Sequence, residues 1–369
     1  MANLEIITDE QSTLKFRLHS VHVSIANSIR RILLSEISMI VIITYPHDEN
    51  KCNITINNTR FTNEIIKQRM SSIPIHIQED KEVTDEGKQE EDVQPIWKSH
   101  KIQCKKKNTS DQMIFVTSED LELVDKTTGE TMNKIQRDII FPPDEHGYFI
   151  DILRLRPQLA NSIPGEEIEF TCDMSISNAK ENAMFNAVSK ATYGNTLDTA
   201  KANEAWKAIE KETTDTKENW FLLDARKYYI PNSFDFTIET IGVHTNKRLF
   251  YLAIHKMIDK LTNITQDTEI PINESISTIK NCYDVTLQKE DYTLGKVLEY
   301  LLYSMYFEGA QASLTYLGFK KEHPHDDDSI IRIAFKEPIE KNMVREKLIR
   351  ASVQGINIYN SIASQITSL

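Results

Sequence analysis

The densest group of side chains that could bind a metal is the run His323-Pro324-His325-Asp326-Asp327-Asp328. Imidazole and carboxylate groups hold zinc and similar ions when three or four of them converge on one point. Closely spaced residues of these types in a polar stretch more often form a surface turn. We therefore expect no metal at this loop.

The cysteines give no stronger signal for a metal, because Cys52, Cys104, Cys172 and Cys282 lie tens of residues apart and form no C-x-x-C pair. Zinc and iron–sulfur sites normally need such pairs, so we expect neither a metal nor another cofactor. A disulfide framework is also not expected, which favours an intracellular protein. The sequence shows no secretory signal and no apolar run near the ~20 residues of a membrane helix.

Residues for catalysis or for direct DNA binding are not evident either. The sequence contains no glycine-rich phosphate loop, no G-x-S-x-G elbow and no aspartate-rich polymerase triplet. Its 43 Lys and Arg residues against 55 Asp and Glu give a net charge of -12. Broad contact with a phosphate backbone requires clustered basic residues, and Lys105–Lys107 is too short a run. We predict a chain that is not an enzyme by itself and reaches DNA only indirectly.

The hydrophobic pattern predicts an α+β fold. Residues 4–18 alternate as a strand would, and an amphipathic helix is predicted over 24–38. A strand at 283–287 and a second amphipathic helix at 294–307 repeat this arrangement late in the chain, and each half ends in a long amphipathic helix. The apolar stripes of the two predicted helices are formed by Ile25, Ile29, Ile32 and Leu33, and by Leu294, Leu298, Leu301 and Leu302.

These two helices form a distant internal repeat. Ala26 and Gly295 occupy the same position near the helix starts, and apolar residues follow at matching places. The charges differ, since Arg30 and Arg31 in the first helix correspond to Glu299 and Tyr300 in the second. The two halves therefore present different chemistry to their surroundings.

The run Val23-Ser24-Ile25-Ala26-Asn27-Ser28-Ile29-Arg30-Arg31-Ile32-Leu33-Leu34-Ser35-Glu36 closely resembles the alpha motif of RNA polymerase subunits. That family includes the bacterial alpha subunit, the archaeal D subunit and the third-largest eukaryotic subunit. Residues 58–74, 165–168 and 234–242 resemble further segments of the same family. Residues 290–298 and 316–333 resemble its small partner, of the archaeal L or eukaryotic eleventh-subunit type. A fusion of both partners resembles the polymerases of large DNA viruses.

The resemblance implies two alpha-like dimerisation domains that pack as a pseudo-dimer. The first would comprise residues 1–47 and 166–262, and the second residues 263–369, after a polar linker at 262–280. A β-rich insertion domain would occupy 48–165. Within it, the acidic stretch 78–92 has almost no apolar residues and is expected to be a solvated loop.

The resemblance also implies a non-catalytic assembly platform on which the largest and second-largest polymerase subunits dock, together with small zinc-bearing subunits. Arg30, Arg31 and Leu34 would face a large subunit. No homo-oligomer and no membrane contact is expected. The location would be intracellular: the host cytoplasm, a viral factory and the virion if the protein is viral, or a nucleus. The alternatives are an adaptor with an alpha-like fold outside a polymerase and a free-standing enzyme.

Overall fold

The computed structural model describes residues 2–77, 95–158, 160, 164–210, 216–308 and 312–367. The predicted solvated loop at 78–92 lies outside these residues. The fold is α+β, as predicted from the sequence. The chain forms two compact units, the first from residues 1–36, 188–240 and 245–369, and the second from residues 37–187 and 241–244.

The elements are numbered in chain order. The strands are β1 (Asn3–Asp9), β2 (Thr13–His19), β3 (Met39–Val41), β4 (Cys52–Asn57), β5 (His100–Lys107), β6 (Ile114–Thr117), β7 (Glu122–Asp125), β8 (Asp151–Leu155), β9 (Glu167–Asp173), β10 (Ser175–Ser177), β11 (Val188–Leu197), β12 (Tyr229–Thr240), β13 (Ile272–Glu274), β14 (Cys282–Leu287), β15 (Leu314–Lys320) and β16 (Ser329–Phe335). The helices are α1 (Val23–Ser35), α2 (Asn63–Ser71), α3 (Ile96–Ser99), α4 (Lys134–Ile140), α5 (Thr199–Ile209), α6 (Lys217–Leu222), α7 (Asn246–Gln266), α8 (Tyr292–Tyr306) and α9 (Lys341–Thr367).

The first sheet of the first unit is antiparallel, with strand order β1-β2-β12-β11. Alternate residues of β2 point into the core, where Leu14, Phe16 and Leu18 are buried, and helix α7 packs on this strand. The single strand predicted over 4–18 is therefore wrong, because the segment folds into a hairpin. Glu10 N–H donates to the Thr13 carbonyl at 2.9 Å and closes the turn.

The second sheet of the first unit has the order β13-β14-β16-β15 and is also antiparallel. Helix α8 packs on β15 and β16. At Gly295 an added Cβ would lie 2.0 Å from the Phe319 ring, so the small residue of the late repeat is required for this helix to approach the sheet. Any larger side chain there would displace the Phe319 ring.

The predicted linker at 262–280 is wrong. Helix α7 continues to Gln266, and β13 pairs with β14 from Ile272 to Glu274. Ile270 and Ile272 are buried, so this part of the chain is anchored in the core. The sequence suggests a linker here because polar and β-branched residues at the end of α7 interrupt its apolar helical pattern. Only residues 267–271 connect the two elements.

The second unit contains a four-stranded antiparallel sheet, β4-β9-β5-β7, and the strand pairs β6-β8 and β10-β3. It begins at residue 37 and extends to 187, whereas the predicted insertion covers 48–165. The longer span follows from the pairing of Val41 with Ser175, which places β3 and β10 in this unit. Within the described ranges, no helix combines the length and the apolar character that crossing a membrane requires.

All four cysteines are buried and unpaired. Cys52 and Cys172 lie opposite each other on adjacent strands of the second unit. Burial raises the pKa of the neighbouring Cys104 thiol to about 12. A thiol with such a pKa carries almost no reactive thiolate at neutral pH.

We expect Ellman's reagent to modify less than one thiol per native chain within minutes, and all four after unfolding in guanidinium chloride. The physical reason is that the reagent attacks thiolates that it can reach, and none of the four thiols is exposed. Absorbance at 412 nm measures the released product. Fast modification of two or more thiols in the native protein would contradict the buried placement.

Candidate assembly interface

Four helices of the first unit pack together around one apolar core. Helix α1 contacts α7 and α8, and α9 contacts α7 and α8. The eight apolar residues that the sequence assigns to the two repeated helices are all buried, at 0–2% exposure: Ile25, Ile29, Ile32, Leu33, Leu294, Leu298, Leu301 and Leu302. This core therefore joins the part of the chain before residue 262 to the part after it.

Gly355 lies where α9 meets α7 and α8. A Cβ at this position would be 2.9 Å from a methyl group of Leu261 on α7 and 2.9 Å from one of Leu301 on α8. Glycine thus allows the three helices to approach closely, and a larger side chain would force them apart. The early and late parts of the chain meet at this crossing.

Arg31 connects the end of α1 to the start of α8. Its Nη2 donates to Asp291 Oδ2 at 2.6 Å, and its Nε donates to Thr293 Oγ1 at 2.8 Å. Asp291 is also the N-cap of α8, since its other carboxylate oxygen accepts from Thr293 N–H at 2.8 Å. Burial would raise the pKa of Asp291, but the bonds from Thr293 and Arg31 outweigh it and lower the pKa. Asp291 is therefore held as a carboxylate.

A second contact connects the same two helices, this time from α8 to the start of α1. The Tyr300 ring on α8 stacks on the ring of His22, the N-cap of α1, with ring centroids 3.9 Å apart and an interplanar angle of 1°. In the sequence repeat, Tyr300 corresponds to Arg31 and His22 corresponds to Asp291. Equivalent positions thus make reciprocal contacts, as residues do across a two-fold axis. One contact is an ion pair and the other an aromatic stack.

A buried group of three charges lies beside the Arg31 contact. Lys260 on α7 binds Glu36 at the end of α1 at 2.9 Å and Glu290 before α8 at 2.8 Å. Burial alone would lower the pKa of Lys260, but the two carboxylates outweigh it and raise the pKa. The lysine therefore stays charged and connects the two parts of the chain. We refer to Lys260, Glu36 and Glu290 as the lysine clamp.

A buried hydrogen bond connects α1 to α9. The hydroxyl groups of Ser28 and Tyr359 are 2.6 Å apart, and both side chains are fully enclosed. Burial raises the pKa of Tyr359 well above its ordinary value, so the phenol remains protonated and can donate. Leaving a buried hydroxyl without its partner would lower the free energy of unfolding by on the order of 1–3 kcal/mol. The polar pair thus fixes how these two helices meet.

An open groove of about 470 Å³ lies between the start of α1 and the outer face of α8. Tyr303 in this groove stacks on Phe307 with ring centroids 4.7 Å apart, and both rings are partly exposed. We call it the tyrosine groove, and its lining is His22, Val23, Ser24, Asn27, Tyr193, Lys296, Glu299, Tyr300, Tyr303 and Leu317. Partly exposed aromatic rings in a groove are typical of protein-binding surfaces.

The stability of the first unit is expected to fall when the pH drops below about 6.5, with His22 as one cause. Burial lowers the pKa of His22 below its ordinary 6.5, and Nδ1 accepts from Ser24 N–H at 3.2 Å, so the folded state favours the neutral ring. This contribution is present in full above pH 6.5 and is lost as the pH falls through the folded-state pKa.

A His22→Asn variant keeps an N-cap acceptor but cannot titrate. We expect it to lose less stability than the wild type between pH 7 and pH 5.5, as measured by urea unfolding. Equal losses in the two proteins would show that His22 does not contribute.

The three predicted docking residues lie in different surroundings. Arg30 is half-buried, and its Nε donates to Asn27 of the tyrosine groove at 2.9 Å. Leu34 is half-buried. Arg31 is bound within the chain to Asp291, which the sequence interpretation did not anticipate. Docking by Arg30, Arg31 and Leu34 stays a prediction, and Arg31 has an additional contact within the fold.

Sequence reasoning missed the lysine clamp and Asp291. Lys260 falls on the apolar face of α7, in helical step with Ala253 and Met257, and a lysine in such a stripe indicates a buried partner. The run from His323 to Asp328 is an exposed turn closed by its own bonds, such as His323 N–H to Asp326 Oδ2 at 2.9 Å. Among the described residues, no three His, Cys, Asp or Glu side chains converge as a metal site.

Comparison with known proteins agrees with this architecture. The family model for the RNA polymerase Rpb3/Rpb11 dimerisation domain matches residues 15–261, which is more than half of the chain. The chain is also similar to a Dictyostelium discoideum protein named DNA-directed RNA polymerases I and III subunit rpac1. The two are 22% identical over 311 residues, covering 72% of this chain and 81% of that protein. The chain therefore belongs to the RNA polymerase Rpb3/Rpb11 dimerisation domain family, the alpha-like subunits of RNA polymerase.

Proposed function

We propose that this chain is the assembly platform of a DNA-directed RNA polymerase, in which both alpha-like partners are fused and pack as a pseudo-dimer. The largest and second-largest subunits dock on it, and small zinc-bearing subunits bind beside them. The chain does no chemistry itself and meets DNA only through the complex. In this proposal it works inside the cell, and the resemblance to fused viral subunits supports a role in viral transcription.

The observation that carries this proposal is the reciprocal contact between α1 and α8. Arg31 reaches the N-cap of α8, and the equivalent Tyr300 reaches the N-cap of α1. Two related domains that meet across an approximate two-fold axis make such paired contacts. The family model ends at residue 261, so the assignment of the later half to the small partner rests on this geometry and on the sequence repeat.

The tyrosine groove supports docking of a large partner. It crosses from α1 to α8, so a protein bound there would contact both halves of the platform. Arg30 lies at its edge through the bond to Asn27, and the stacked Tyr303 and Phe307 offer rigid apolar area. Aromatic and arginine residues dominate the energetics of many protein interfaces.

The test is co-expression of the full chain with the two largest subunits of its polymerase. Arg30→Ala and Tyr303→Asp should each leave the isolated chain folded and weaken capture of a large subunit by about 2 kcal/mol, or roughly thirty-fold in Kd. Leu222→Asp is the matched control, because Leu222 is exposed on α6 outside the groove. Thermal unfolding of each purified variant verifies that the fold is kept.

Capture that is unchanged in both groove variants would reject docking at this surface. A chain that captures neither large subunit in any variant would favour the alternative, an adaptor with an alpha-like fold outside a polymerase. Arg31→Ala is not suited to this test, because Arg31 also stabilises the contact between α1 and α8.

A further inference from the structure

The second unit carries a groove with an unusual charge for so acidic a chain. The groove has a volume of about 540 Å³ and is lined by Arg60, Phe61, Arg69, Asp151, Leu153 and Arg154. Three guanidinium groups thus face one carboxylate in a protein whose net charge is -12. We call this surface the arginine groove.

Two of the three arginines are held in place by neighbouring groups. The Arg69 guanidinium lies 4.8 Å from the centroid of the Phe61 ring and donates to the Ile152 carbonyl at 2.8 Å. The Arg154 guanidinium lies 4.7 Å from the centroid of the Phe115 ring. Stacking on a ring fixes the plane of a guanidinium and leaves its N–H donors directed outwards. The groove is therefore organised before a ligand arrives.

Several arginines elsewhere in the chain bind carboxylates. Arg332 binds Asp284 through two hydrogen bonds of 2.7 and 2.8 Å, and Arg17 binds Asp235 at 2.6 Å. Among the described residues, no carboxylate lies within ion-pair distance of Arg60, Arg69 or Arg154. Within the described part of the chain, their positive charge is therefore available to a ligand.

The surroundings indicate the chemistry of that ligand. A smaller groove of about 280 Å³ shares Arg69 and Asp151 and continues along α2 past Ile73 and Ile150. Ile150 and Phe115 are exposed beside the arginines. Guanidinium groups recognise carboxylates in a bidentate manner, and the apolar border favours a ligand with aliphatic side chains.

We propose that the arginine groove binds an acidic segment of a partner protein, in which Glu or Asp residues alternate with aliphatic ones. The carboxylates would bind Arg60, Arg69 and Arg154, and aliphatic side chains would lie against the exposed Ile150. This surface belongs to the second unit, whereas the tyrosine groove belongs to the first.

The experiment uses the full chain and fluorescence anisotropy with a labelled peptide of about twelve residues in which Glu and Leu alternate. We expect saturable binding that weakens as salt is added. The double variant Arg60→Gln, Arg154→Gln should lower the affinity at least about tenfold. Arg226→Gln is the matched control, because Arg226 is an exposed arginine of the first unit.

Two further probes decide the chemistry. A peptide with Gln in place of Glu should bind at least about tenfold more weakly, since it lacks the charges. A single-stranded thymidine 12-mer should also bind more weakly than the Glu-Leu peptide. No binding of the Glu-Leu peptide at millimolar concentration, equal binding of the Gln-Leu peptide, tighter binding of the DNA, or an equal loss in the Arg226→Gln control would each overturn the proposal.

Discussion

Replacing Lys260 with methionine is expected to lower the free energy of unfolding by about 3–5 kcal/mol at neutral pH. Methionine fills a similar volume, so the loss comes from the charge. Without the ammonium group, Glu36 and Glu290 remain as two buried or partly buried carboxylates near each other. Breaking such a group by removing one partner is costly, because the carboxylates lose the positive charge that balances them in a largely enclosed site.

The pH dependence distinguishes this explanation from a simple packing defect. In the variant, the two negative carboxylates repel each other, and protonation in acid removes this repulsion. The deficit relative to the wild type should therefore shrink between pH 7.5 and pH 5. In the wild type, the raised pKa of Lys260 means that its contribution persists at neutral pH and is lost only as the pH rises through that value.

Urea unfolding followed by circular dichroism measures both effects. Lys256→Met is the control, because this half-buried lysine lies one turn earlier on α7 and should change stability by about 0.5 kcal/mol or less. A deficit below about 1 kcal/mol for Lys260→Met, or one that does not change with pH, would show that the clamp carries no buried charge.

The helices that form the core could be predicted because their signal is local. The apolar stripes of α1 and α8 repeat at helical spacing, and every residue predicted for them is buried. The partner of Arg31 could not be predicted in the same way. Asp291 is 260 residues away, and nothing in the local pattern of either residue shows that they meet. A charged residue on a helix edge can bind solvent, another subunit or its own chain.

The predicted boundaries of the insertion differ from those of the second unit for a related reason. The pairing of β3 with β10 connects residues 41 and 175. The local sequence of neither strand shows that it pairs with one so far away in the chain. The predicted end of α7 was wrong for a different reason. Thr262, Asn263 and Thr265 are polar or β-branched, so the helix propensity of this segment is low. There the buried apolar face of the helix outweighs the intrinsic preference of its last turn.

Two fragments made by dividing the chain after Asp267 are expected to stay together. Residues 267–271 are the short connection between α7 and β13. All four helices of the core lie on one side or the other of that cut, so separation would expose both apolar faces. Co-expression of residues 1–267 and 268–369 should give one complex with equal amounts of each fragment, measured by size-exclusion chromatography with light scattering.

The reciprocal contacts predict that each fragment prefers the other to a copy of itself. Two copies of the first fragment would place Arg31 against His22, and two copies of the second would place Tyr300 against Asp291. Either arrangement loses the ion pair and leaves a charge without its partner, which disfavours the wrong pairing. Each fragment alone should thus form no stable homodimer at micromolar concentration. A stable homodimer of either one would contradict this prediction.

The contribution of the ion pair to this association can be measured with a double-mutant cycle. Asp291→Asn keeps the N-cap of α8 and removes the charge, and Arg31→Gln removes the other partner. Each change should weaken the fragment complex roughly tenfold, and the double variant should be little weaker than either, because both changes remove the same contact. Gly355→Leu should separate the fragments altogether, since its side chain would collide with Leu261 and Leu301. Strictly additive effects of the two ion-pair variants would show that Arg31 and Asp291 do not act as a pair. Fragments that remain bound despite Gly355→Leu would show that the halves are held by some other surface.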